Sequence, residues 1–96
     1  MTYSLKIHDS GKGSIVAICD SDILGCVFVE NDFILDIDED FFGGDIVDND
    51  KILVLIKSAH TVNACGNKIV EFLISENIIK TSHVKTIDNV KYAMIF

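Results

Sequence analysis

The sequence predicts a small α+β domain occupying residues 1–96 as one unit, with a mainly antiparallel sheet and two helices packed on one face of it. Three observations point there. Alternating apolar and polar residues mark both ends of the chain, two segments with helical spacing lie in its second half, and the joins carry turn chemistry. The expected order is β-β-(short α)-β-α-α-β-β.

Tyr3, Leu5 and Ile7 alternate with Ser4, Lys6 and His8, the period of a half-buried strand. Asp9-Ser10-Gly11-Lys12-Gly13 is a turn with two glycines open to positive φ, and the β-branched run from Ser14 to Cys19 is the second strand of a hairpin. Asp20 to Gly25 is a single helical turn, with Asp20 able to cap its start and Gly25 able to end it left-handed. Val27, Phe28 and Val29 lead to the turn Asn31-Asp32 and to a strand with Phe33, Leu35 and Ile37 on one face. Asp36 and Asp38 then fall on the opposite, solvated face, because an unpaired carboxylate is too costly to bury.

Asp48-Asn49-Asp50 opens a helix on which Ile52, Leu55, Ile56 and Ala59 follow at helical spacing. The segment Thr61 to Gly66 breaks that pattern and reads as an interhelical turn in which Asn63 and Gly66 bond the backbone. A second helix covers 67–76, and Asn77 is a left-handed stop. Val84 to Ile87 and Val90 to Ile95 flank Asp88-Asn89, a two-residue connection suited to a type I′ hairpin.

Charge divides the chain. Residues 1–50 carry two lysines against twelve acids, a net of −10, and residues 51–96 carry six lysines against three acids, a net of +3. Every basic residue is lysine, so no guanidinium is present for bidentate phosphate or guanine contacts. Direct nucleic-acid binding is disfavoured, weak RNA contact being confined to the lysines of residues 51–96, and the acidic half is suited to a basic protein partner. No apolar run approaches the ~20 residues needed to cross a bilayer, and the N-terminus has no basic segment followed by an apolar one. Three cysteines without a CxxC spacing suggest neither a disulfide framework nor a closed zinc site. These features predict a cytoplasmic protein with no membrane association and no cofactor; they set no oligomeric state.

Seven acids flank Phe41-Phe42-Gly43-Gly44 between Asp36 and Asp50. Asp36, Asp38 and Asp40 open like a calcium loop, but Phe41 stands where the loop needs glycine and Val47 where it needs glutamate, so a metal is not expected. The glycines let the chain reverse into the helix that follows, one phenylalanine anchors the loop in the core, and the other stays free as a contact ringed by acids. Candidate binding residues are therefore Asp40, Phe41, Phe42, Gly43, Gly44 and Asp45, with Asn63. An enzymatic alternative uses Cys19 as a thiol nucleophile beside Asp20 at a strand-to-helix junction, or nearby carboxylates. Burial is the commoner fate of a cysteine closing an apolar strand, so the expectation leans away from an enzyme.

Cys19-Asp20, Leu24-Gly25, Phe28, the Phe41-Phe42-Gly43-Gly44 loop, and Asn63 with Gly66 occur in an order and spacing that resembles the archaeal domain-of-unknown-function family numbered 424. The resemblance runs from the first strand to the final hairpin. It implies a small cytoplasmic archaeal protein with no established catalytic activity and a loose association with translation. Relatives commonly carry arginine and a larger basic fraction, so the acidic, all-lysine make-up here departs from an RNA-binding pattern. The function expected is that of a non-enzymatic protein-interaction module, its partner a basic protein of the translation apparatus.

Overall fold

The alternation at the N-terminus forms a hairpin of strand β1 (Tyr3–Ser10) and strand β2 (Gly13–Asp20), paired in antiparallel register from Tyr3↔Asp20 to Ser10↔Gly13. The computed structural model describes residues 2–95. A single 3₁₀ turn, Ser21–Ile23, leads to a second hairpin, β3 (Val27–Glu30) and β4 (Phe33–Asp36). Then follow a one-turn helix α1 (Glu39–Phe42), strand β5 (Asp45–Val47), helix α2 (Asn49–Lys57), strand β6 (Thr61–Cys65) and helix α3 (Asn67–Ser75). Strands β7 (Lys85–Ile87) and β8 (Val90–Ile95) form the last hairpin.

Six strands make one sheet in the order β5-β1-β2-β6-β8-β7, antiparallel throughout except where β6 lies parallel to β2. The β3–β4 hairpin is a separate two-stranded sheet. The α+β class and the mainly antiparallel sheet agree with expectation. The terminal turns do too: Asp88 and Asn89 take φ of 49° and 65°, and Asn77 takes 60° after α3. The Asp48 side chain accepts a hydrogen bond from the Lys51 amide at 3.1 Å and starts α2 where expected.

Three strands differ from expectation. Val27–Glu30 pairs with β4 as a strand, Asp45–Val47 adds to the edge of β1, and Thr61–Cys65 is a strand rather than an interhelical turn. The last correction matters most, because β6 joins the two hairpins into one sheet, with Ala17↔Asn63 on one side and Asn63↔Met94 on the other. It is covered on both faces, so it has no alternation to read, and it is too short to distinguish from a loop by apolar content.

The period of two along the strands sends their side chains into two cores. On one face Leu5, Val16, Ile18, Val62 and Ala64 meet Ile52 of α2 and Ile69, Val70 and Leu73 of α3. Those four helix residues are fully buried, each contributing roughly 1.5–3 kcal/mol of apolar transfer. On the other face Ala17, Cys19 and Cys65 pack against Ile37 and Phe42, with Phe28 and Leu35 of the second hairpin lying over them. The helices occupy one side, and the β3–β4 hairpin and α1 the other. Among the described residues no helix is long and apolar enough to cross a membrane.

Candidate functional site: an acidic loop held on the first strand

Because Tyr3 and Leu5 face the helices, Ser4, Lys6 and His8 face the opposite side, where α1 lies. A four-residue helix leaves its last carbonyls without intrahelical donors. Strand β1 supplies them: Ser4 Oγ donates to Phe42 O at 2.8 Å, Lys6 Nζ to Asp40 O at 2.9 Å, and His8 Nε2 to Phe41 O at 2.9 Å. At the other end of α1, Asp38 accepts from the Asp40 amide at 3.0 Å. The loop's backbone is thus held at both ends.

The two phenylalanines separate less than the sequence suggests, because Phe41 is packed rather than free. Phe42 is 5% exposed and lies in the second core, whereas Phe41 is half-buried. The Phe41 ring stacks on His8 at 4.7 Å and 16° and meets Phe42 edge-on at 5.0 Å. The glycines have a different purpose from the one expected. Gly43 is extended, at φ −82°, and neither Gly43 nor Gly44 takes a positive φ. A Cβ on Gly43 would strike the carbonyl oxygen of Glu39, and one on Gly44 would stand 2.6 Å from that of Leu5, so these positions admit a close backbone approach rather than a chain reversal.

Asp36, Asp38, Glu39 and Asp40 are exposed and, with Gly25, line an open depression of about 300 Å³. Asp45 is exposed at the start of β5. Among the described residues no ion pair reaches any acid between Asp36 and Asp50; Lys91 pairs elsewhere, with Glu71 at 3.5 Å. Nor, among those residues, does any group of three or more His, Cys, Asp or Glu side chains converge as metal ligands. Asn63 lies outside this loop, half-buried in β6 and two strands away from Lys6 along the row Lys6↔Ala17↔Asn63.

Cys19 and Cys65 are neighbours in parallel register, 0% and 5% exposed. Burial pushes each thiol up to about 12, with the negative charge of Asp20 adding to both. A nucleophilic thiol needs the opposite shift. Iodoacetamide applied to the native protein at neutral pH is expected to modify the exposed Cys26 and to leave Cys19 and Cys65 untouched until denaturant is added. Mass spectrometry of the peptides reads this; fast native labelling of Cys19 would restore the thiol enzyme.

Asp20 does not cap the turn that follows it, as its position suggested. Its carboxylate, 5% exposed, reaches α3 and accepts from the amides of Lys68 at 3.0 Å and Ile69 at 2.8 Å. Gly66 precedes that helix at φ 126°, and a Cβ there would run into the same carboxylate. Sequence reading missed this cap, and it missed Ser4, Lys6 and His8 as anchors of the loop. The alternation along β1 marked the polar row without showing what covers it.

A family model described as "Protein of unknown function (DUF424)" matches residues 7–96. The chain belongs to the DUF424 family. The crystal structure of an uncharacterized conserved protein from Methanopyrus kandleri resembles this DUF424 chain with a TM-score of 0.80 at 23% identity. The match covers 99% of this chain and 90% of the other, and it shows a shared fold. No curated protein matches the sequence.

Proposed function

We propose that this DUF424 protein is a non-enzymatic interaction module whose Phe41 to Asp45 loop and adjoining acids dock a basic protein. One observation carries the reading: Asp36, Asp38, Glu39 and Asp40 stand exposed together, with no side-chain ion pair to any of them among the described residues, on a backbone that Ser4, Lys6 and His8 hold in place. Grouped like charges on a held backbone repel one another, and a lysine- or arginine-rich surface removes that repulsion on binding. Phe41, half-buried at the rim, supplies an apolar contact beside them. Family resemblance directs the choice of partner to a basic component of the archaeal, cytoplasmic translation apparatus.

Affinity capture from archaeal lysate tests this with the wild type and with Asp38→Asn/Glu39→Gln/Asp40→Asn. Asparagine also caps helices, so α1 keeps its start in the variant. A basic protein is expected to bind the wild type at low salt, to be released at high salt, and to be lost from the variant. The same partners retained by the variant, or none bound by the wild type, would overturn the proposal.

A further inference from the structure

In a two-stranded sheet with one face on the core, the outward positions are expected to be polar. The β3–β4 hairpin departs from this: Val27, Val29 and Ile34 point outward and are 56%, 55% and 68% exposed, while Phe28 and Leu35 face the core. The runs Val27-Phe28-Val29 and Phe33-Ile34-Leu35 are apolar on successive residues, the pattern of strands covered on both sides. In this fold only one side is covered.

We infer that the outer face of this hairpin is the apolar half of the docking surface, and that it takes a basic amphipathic helix of the partner protein; this rests on the acidic-loop reading above. Asp36 links the two halves, since it stands opposite Val27 on the outward face and also lines the acidic depression. Asp32 lies exposed at the hairpin's turn. Two strands about 5 Å apart, each four residues long, present a patch about 13 Å in length, which two or three turns of one helix cover. Lysine or arginine on the flanks of such a helix would reach Asp32 at one end and Asp36, Asp38 and Glu39 at the other. A second copy of the chain fits poorly, because a two-fold contact would set this acidic rim against itself.

The probe is a synthetic leucine–lysine peptide of about 14 residues, roughly four helical turns, with all leucines on one face. Two controls replace its lysines by glutamate or its leucines by alanine. Titration into the labelled protein is expected to shift amide resonances across Val27 to Asp36 as well as Glu39 to Asp45, and each control should bind roughly tenfold more weakly or worse. Val27→Thr/Val29→Thr/Ile34→Thr keeps β-branched or strand-favouring side chains; it should retain the wild-type thermal midpoint while losing tenfold or more in affinity for the leucine–lysine peptide. An alanine–lysine peptide that binds equally well, with shifts confined to Glu39 to Asp45, would remove the hairpin and leave the acidic loop. Equal binding of the glutamate peptide would remove both. A dimer seen by sedimentation and dissolved by the threonine variant would make the occupant a second copy and overturn the inference.

Discussion

Replacing Asp20 by alanine is expected to lower the unfolding free energy by about 2–3 kcal/mol, the sum of a lost helix cap and a buried amide left without an acceptor. The Asp20 carboxylate accepts from two amides of the first turn of α3, and Ile69 is fully buried, so water does not replace the bond to its amide. Helix α3 has no local substitute, because Gly66 occupies its cap position without a side chain. At roughly 4–8 °C per kcal/mol for a domain of this size, thermal unfolding should show the change plainly. Hydrogen exchange locates it: protection should fall first at Lys68 and Ile69. An alanine variant as stable as the wild type would show that this bond contributes nothing net.

The same residue gives a pH dependence whose sign follows from its surroundings. Burial holds the Asp20 carboxyl above the ordinary carboxylate range, and the bonds from Lys68 and Ile69 only partly oppose this. The folded protein therefore binds that proton more tightly than the unfolded chain does. The proton-linked part of Asp20's contribution, added to that of its two amide bonds, is fully present below the unfolded carboxylate value and is lost as pH rises through the raised folded value. Asp20→Asn keeps one acceptor and removes the titration. Stability measured by urea unfolding from acid to neutral pH should favour the wild type most at the acid end, with its advantage over the asparagine variant shrinking as pH rises. Parallel profiles would contradict the assignment.

What sequence reading captured and what it missed divide by distance along the chain. The type I′ turn at Asp88-Asn89, the left-handed Asn77 and the Asp48 cap of α2 are each decided within a few residues, by side chains whose preference is local. Ser4, Lys6 and His8 meet their carbonyl partners 38, 34 and 33 residues away, and Asp20 reaches α3 across 48 and 49. No local preference distinguishes such an aspartate from one that caps its own turn. Strand β6 failed for another reason: burial on both faces removes the polar alternation that reveals a strand. The loop's composition was legible, and so was the burial of one phenylalanine, Phe42; the stack of Phe41 on His8, 33 residues away, was not. Its glycines were assigned the wrong task because Gly-Gly signals a turn in sequence, whereas a close approach to Leu5 appears only once β5 lies beside β1.

The difference in burial between the two phenylalanines sets the second large effect: Phe42→Ala is expected to destabilise the protein by about 3–5 kcal/mol, and Phe41→Ala by about 1 kcal/mol. Phe42 is the buried aromatic of α1 that packs with Cys19, Cys65 and Ile37, so truncation leaves a cavity where sheet, hairpin and loop meet. Phe41 loses a stack on His8 and an edge contact with Phe42, on a ring that is only partly buried. Urea unfolding separates the two by midpoint. If the loop docks a partner, the effects on binding should reverse in order at temperatures where both variants are folded. Phe41→Ala would lose the salt-sensitive capture at a cost of only about 1 kcal/mol in stability, because its ring is the less buried of the two. Equal destabilisation by the two substitutions would make Phe41 a core residue, and the acids around it would then have no apolar contact within their own loop.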